Sequence, residues 1–384
     1  MALTLTQEQG ALVLTFPDGS TAALPHLWLR DADPSGFHPQ TNERTFDLMS
    51  VPADITPEHA HLTDDALVLR WPGTAADSRF ALDWLAMHAP GRRRSDPAAM
   101  PKHLWGAELG PDGIPRGDAE AIMNNDAALY DWIVETKRYG VSVVHGIADD
   151  KEAGMAIAER IGFLAPTNFG TIFEVMSKPD PNNIAYTAEA LPLHTDLPNQ
   201  ELPPGVQFLH CLANESTGGG SIICDGLRVA RDFEREDPEG FAILRDTPIP
   251  FRFYDTEFDI RTRHPVIVTD SDGAVSEICY STHLADILDL PADQVSAWYA
   301  AYRGLTAKLR DPAYTVTLRL GTAQMIVFDN RRVLHGRESF DPSTGMRHLR
   351  GFYVNRGDFD SRIRVLARAH GDAAIGADSA AELA

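Results

Sequence analysis

Leu191-Pro192-Leu193-His194-Thr195-Asp196-Leu197-Pro198 is an apolar, proline-bounded stretch that ends in a His-x-Asp pair. Far along the chain, Val333-Leu334-His335-Gly336-Arg337 supplies a further histidine in a strand-like setting. Successive side chains of a strand point to opposite faces, so His194 and Asp196 are expected to present an imidazole and a carboxylate on one side. A His-x-Asp pair alone is common on surfaces. In these apolar surroundings, however, an unpaired histidine and aspartate would be costly, which argues for a shared task. Two imidazoles and one carboxylate on one face of a metal leave the opposite positions open, the ligand set suited to a non-haem Fe(II) oxygenase. Without a thiolate the set disfavours structural zinc.

Around these segments, short strand-like runs dominate: residues 206–212, 221–224, 266–269, 314–320, 325–328 and 349–354. Helical spacing interrupts them over 228–244, broken near Pro238, and over 292–310. A helix with Asp126 as N-cap and Gly140 as its stop leads into a buried strand at 141–144, and another helix is expected near 152–161. Many short strands with helices packed outside predict an α+β, mainly β protein. The expected core is a double-stranded β-helix (jelly roll) rather than a doubly wound parallel sheet. Upstream, Ala11-Leu12-Val13-Leu14-Thr15-Phe16, then Pro17-Asp18-Gly19-Ser20 and Ala22-Ala23-Leu24, read as a hairpin with Asp-Gly at its turn. The Pro/Gly-rich stretch after Pro90 marks a boundary. The expected organisation is a small β-rich N-terminal domain over 1–95, a linker over 96–118 and a catalytic domain over 119–372. A flexible, alanine-rich tail follows over 373–384. The Arg92-Arg93-Arg94 run is read as a solvated linker.

The 384 residues are 43% hydrophobic and 23% charged, ordinary globular values. A formal charge of −21 repels phosphate backbones and anionic lipid surfaces, which excludes general nucleic-acid binding. Cys211, Cys224 and Cys279, an odd number in apolar stretches, read as buried thiols in a reducing compartment. No apolar run reaches the ~20 residues of a membrane span, and the start lacks the pattern of a secretory signal. A cytoplasmic location is expected.

Several motifs, in order and spacing, resemble those of the taurine dioxygenase-like Fe(II)/2-oxoglutarate dioxygenases, in particular the γ-butyrobetaine and trimethyllysine hydroxylase branch. They are Leu27-Trp28-Leu29-Arg30-Asp31, Asn183-Ile184-Ala185-Tyr186-Thr187, His194-Thr195-Asp196 and Pro203-Pro204-Gly205-Val206-Gln207. Gly218-Gly219-Gly220-Ser221, Phe328-Asp329-Asn330 and His335-Gly336-Arg337 complete the set. The resemblance implies iron ligands at His194, Asp196 and His335, the catalytic centre. It places the 2-oxoglutarate anchor at Arg347, with Ser221 and Leu209 beside it. The implied reaction consumes O2 and 2-oxoglutarate, releases succinate and CO2 and hydroxylates a C–H bond, with ascorbate as activator; a homodimer is also implied.

For the substrate, the resemblance implies an aromatic cage around a trimethylammonium group, made of Tyr186, Tyr353, Phe169 and Phe173. Asn183 matches a residue that contacts the substrate's carboxylate. Leu197 stands where the branch carries a tyrosine, and Arg261, Arg263 or His283 are candidates to replace other lost polar contacts. The expected substrate is γ-butyrobetaine-like, giving L-carnitine. A phosphonate analogue such as 2-(trimethylamino)ethylphosphonate, or another small amine, is the alternative; a non-catalytic jelly-roll binding protein is a third reading. Asp31-Ala32-Asp33-Pro34-Ser35-Gly36-Phe37-His38 replaces the branch's cysteine-rich zinc segment, so no structural zinc is expected and packing through Trp28, Phe46 and Trp71 must stabilise the small domain.

Overall fold

A computed structural model describes residues 3–92, 94–177 and 186–370; the expected tail over 373–384 and Asn183 lie outside them. The chain divides into two compact units, one up to Asp96 and one from Pro97 to Asp372.

The first unit holds two three-stranded antiparallel sheets. One joins Thr4–Glu8, Ala11–Thr15 and Thr21–Pro25; the other joins His59–Leu62, Ala66–Arg70 and Ser78–Ala81. Alternation decides which residues are buried: Leu12 and Leu14 point inward while their neighbours face out, and they meet Leu67, Leu69, Trp71 and Phe80 in one core. In the segment over 31–38, the Asp33 carboxylate accepts from the backbone and hydroxyl of Ser35 and from the hydroxyl of Ser78. A polar tie thus pins this loop to the sheet. Arg92 departs from its reading as solvated: it donates to the carbonyl of Ala86 at 2.6 Å and lies over the Phe16 ring.

In the second unit a six-stranded sheet faces a four-stranded one. The first runs in the order Arg116–Asp118, Val141–His145, Met325–Asp329, Val206–Asn214, Arg347–Val354, Phe173–Val175; the second runs Leu191–His194, Val333–Arg337, Ser221–Asp225, Thr315–Leu318. All neighbours are antiparallel except the first pair. The period of two sorts each strand between an inner and an outer layer. Leu209, Cys211, Ile223, Leu318, Phe328 and Leu349 fill the interior between the sheets. Phe208, Val327, Phe352 and Val354, one residue out of phase, pack outward against the helices Asp126–Tyr139 and Arg356–His370. Helices Gly226–Glu236, Pro238–Asp246 and Ala292–Leu309 cover the other side. The three cysteines are buried, and desolvation pushes the thiols of Cys211 to about 11 and Cys279 to about 12.

The cap of Asp126–Tyr139 sits one residue earlier than expected. Asn125 is the N-cap, its side chain accepting from the backbone of Ala127 and Ala128, and Asp126 opens the first turn. Gly140 ends the helix in the left-handed region at φ 76, where a β-carbon would also strike the Arg332 side chain. The hairpin Ile249–Tyr254/Asp259–His264 and the helix Arg356–His370 were not foreseen.

Candidate metal centre

His194 and His335 are direct cross-strand partners in the antiparallel pair that joins Leu191–His194 to Val333–Arg337. Their ring centroids lie 4.3 Å apart. Asp196 reaches them differently from the sequence expectation. The strand ends at His194, so Asp196 is placed by a bend rather than by alternation along a strand. Two long-range contacts make that bend. Thr195 turns away and its backbone N–H donates to the Tyr280 carbonyl at 2.7 Å. Asn330, fully buried, accepts from the Asp196 N–H at 2.7 Å and donates to the carbonyls of Asp196 and Pro204. Leu197 follows with φ 54, a left-handed conformation that a branched side chain adopts at a cost.

The result brings Asp196 Oδ1 to 3.1 Å from His194 Nε2 and 3.6 Å from His335 Nε2. Among the described residues these three form the one cluster whose donor atoms could jointly hold a metal ion, all within 4.8 Å. His194 Nδ1 lies 2.9 Å from the Pro192 carbonyl, which can accept but not donate, so that nitrogen carries the proton and Nε2 keeps its lone pair for the cluster. Burial opposes ionisation of Asp196, yet His335, His194 and the Tyr353 hydroxyl together hold its carboxyl well below the ordinary range. Burial, with the neighbouring His194, pushes His335 down to about 3. The donor set is two imidazoles and a carboxylate, which fits a ferrous ion.

The cluster opens onto a pocket that includes Phe169, Phe173, Tyr186, Leu197, His283 and Tyr353, so five of the expected substrate residues line one cavity. Phe173 stacks on Tyr353 with centroids 5.3 Å apart, and Phe169 packs edge-on against Phe253. Gly351 makes room for this wall: a β-carbon there would run into the Phe173 ring. His283 meets His194 edge-on at 4.9 Å, and burial pushes its pKa down to about 4. Arg261 and Arg263 do not line the cavity. Arg263 pairs with Asp289 at 2.6 Å, and Arg261 lies on an exposed hairpin opposite Arg252.

Arg347 shares the inward phase of Leu349 and is 6% exposed. Its Nε donates to the Gly219 carbonyl at 3.2 Å, and among the described residues no carboxylate pairs with it. Desolvation, reinforced by Arg337, pushes it down to about 10. Ser221 begins the strand just beyond Gly219, and Leu209 pairs with Gly351 on the adjoining strand. Arg337 escaped the sequence reading as an individual residue. It is buried two residues beyond His335 and donates to the carbonyls of Thr187 and Glu189, both at 2.8 Å. Its guanidinium and that of Arg347 lie over the same ring, Phe340. Sequence gave no signal for that pairing beyond the motif itself.

Residues 97–353 match the family described as taurine catabolism dioxygenase TauD, TfdA family, and residues 3–86 match the N-terminal module described as gamma-butyrobetaine hydroxylase-like. The gamma-butyrobetaine dioxygenase of Pseudomonas sp. (strain AK-1) is 40% identical over 92% of this chain and 93% of that protein. The Homo sapiens gamma-butyrobetaine dioxygenase is 31% identical over 91% and 92%. The mitochondrial trimethyllysine dioxygenase of Gallus gallus is 31% identical over 88% and 82%. No helix among the described residues is long and apolar enough to cross a membrane. With both modules matched end to end around a His-Asp-His cluster, this chain belongs to the TauD/TfdA dioxygenase family, in its gamma-butyrobetaine dioxygenase group.

Proposed function

We propose that this chain hydroxylates γ-butyrobetaine, or a closely similar trimethylammonium acid, using Fe(II), O2 and 2-oxoglutarate and releasing succinate and CO2. The observation that carries the reading is the His194–Asp196–His335 cluster opening directly onto an aromatic-walled pocket. Ferrous iron held by the three residues supplies the O2 chemistry that couples oxidation of 2-oxoglutarate to hydroxylation. The protein's own part is ligation, orientation and exclusion of water. His194 Nδ1–H, tied to Pro192, keeps one imidazole aimed, and Tyr353 and Asn330 hold the carboxylate and its backbone in place.

Arg347 anchors the distal carboxylate of 2-oxoglutarate through its guanidinium fork, beside Ser221 and Leu209. A buried cation without an acid is the electrostatic complement of a dicarboxylate. The faces of Tyr186, Tyr353, Phe169 and Phe173 attract the quaternary ammonium, which offers no hydrogen bond and asks for none. Relatives named gamma-butyrobetaine dioxygenase support the carboxylate over the phosphonate as the anionic end. A homodimer in the cytoplasm, with ascorbate as activator, completes the proposal on the strength of the family resemblance.

The test is succinate release with Fe(II), 2-oxoglutarate and ascorbate across γ-butyrobetaine, trimethyllysine, 2-(trimethylamino)ethylphosphonate and simple amines. Release stimulated most by γ-butyrobetaine, with a hydroxylated product in equal amount, is expected. No stimulation by any trimethylammonium compound would overturn the proposal.

A further inference from the structure

The pocket beside the metal cluster offers a ligand few polar groups. Among its described lining residues these belong to Tyr186, His194, Asp196, His283 and Tyr353. His194 and Asp196 belong to the metal cluster, and the Tyr353 hydroxyl is spent on Asp196 Oδ2 at 2.6 Å. Tyr186, whose ring faces the cavity, has a contact of its own in the structure. His283 differs: its imidazole touches the His194 ring edge-on and makes no hydrogen bond to a described residue.

The backbone that carries it is fixed on both sides. The Tyr280 carbonyl accepts from Thr195, the Leu284 carbonyl accepts from Arg252 at 2.8 Å, and the Ala285 N–H donates to Ser281. The ring is therefore held at the reacting end of the cavity, next to a metal ligand, with its hydrogen-bonding capacity open to whatever enters. No lysine or arginine is found among the described lining residues.

We infer that His283 is a specificity-determining residue, donating an N–H hydrogen bond to the carboxylate of a zwitterionic trimethylammonium substrate. The inference rests on the function proposed above and deepens it. A trimethylammonium head can neither donate nor accept a hydrogen bond, so it is satisfied by ring faces alone. The substrate's acid end loses part of its water on entering the cavity, and His283, itself exposed to solvent while lining that cavity, can replace the lost water with an N–H donor. His283 carries an N–H donor beside the metal cluster that no described residue engages, in either protonation state. It takes the place that the sequence left open among Arg261, Arg263 and itself, and the other two lie away from the cavity.

The test compares γ-butyrobetaine with butyltrimethylammonium, the same chain without its acid, on the ferrous holoenzyme with 2-oxoglutarate. Binding is read by anaerobic calorimetry and turnover by succinate release, in wild type, His283→Phe and His283→Asn. The expected result is a wild-type preference for the acid of about 10-fold or more, the scale of one hydrogen bond to a charged group. His283→Phe collapses that preference, and His283→Asn, which keeps an N–H donor, retains part of it. If His283→Phe weakens both compounds by the same factor, the residue is merely structural and the inference falls while the proposed function stands. If the wild-type enzyme binds and turns over neither acid nor cation, the proposed function falls and the inference with it.

Discussion

The Tyr353 hydroxyl donates to Asp196 Oδ2 at 2.6 Å, so one side chain both walls the aromatic pocket and steadies the carboxylate of the candidate metal cluster. The bond favours the ionised form of Asp196. Tyr353→Phe keeps the ring and removes the donor. Fe(II) affinity is expected to fall roughly 10-fold, the scale of a hydrogen bond to a charged group. The carboxyl pKa rises. Iron titration under anaerobic conditions checks this, and unchanged affinity would show that the hydroxyl is idle.

Asn330 acts on the same aspartate from behind. Replacing it with alanine strands the Asp196 N–H and two buried carbonyls, at a cost of about 3 kcal/mol or more. Asn330→Asp is expected to be worse, because a carboxylate faces two carbonyls it cannot serve. Thermal melting of both variants decides it; a melting point equal to wild type in either would contradict the clamp.

Arg347 should pull stability and function in opposite directions. Its folded pKa, about 10, lies below the ordinary 12.5, so the folded state binds this proton less tightly than the unfolded chain does. The charged guanidinium therefore opposes folding at every pH below about 10, by on the order of 3 kcal/mol. Arg347→Met is expected to raise the melting point of the 2-oxoglutarate-free protein while raising the 2-oxoglutarate KM at least about 10-fold and the substrate KM much less. Equal increases in both constants would remove Arg347 from its anchoring role.

Acid should weaken the metal-free chain over a defined window. His335 and His283 are held at about 3 and about 4, both chiefly by burial, against an ordinary 6.5. Between those values and about 6.5 the unfolded chain binds more protons than the folded one, so stability falls as pH drops through that range. Denaturant titrations from pH 7 to 4.5 should show the decline, and His335→Gln should lessen it while His283 and the other lowered imidazoles, His26 and His210, keep their share. A slope undiminished in that variant would remove His335 from the responsible groups.

Much of the architecture was legible because the jelly roll is written in period two. The apolar runs read as strands over 206–212, 325–328 and 349–354 fall on Val206–Asn214, Met325–Asp329 and Arg347–Val354, whereas which face of each turns inward came from the structure. The helix break at Pro238 was visible for a local reason, proline's missing N–H. The proximity of His194 and His335 was expected from residue type, and the register pairing provides it. What stayed hidden was non-local. Asp196 is positioned by Asn330 and Tyr280, residues far away in the chain, and the alternation argument misplaced it on a strand that ends at His194. Arg337's hold on Thr187 and Glu189 likewise depends on loop placement that no local pattern encodes. The hairpin Ile249–His264 was masked by Pro250 and its short, charged return strand.

Iron binding tests the central claim most directly. Equilibrium dialysis against Fe(II) with 2-oxoglutarate under argon should give one ion per wild-type chain and almost none for His335→Ala, a folded variant by circular dichroism. Retention of a full equivalent of iron by His335→Ala would show that the two histidines and Asp196 do not share one ion.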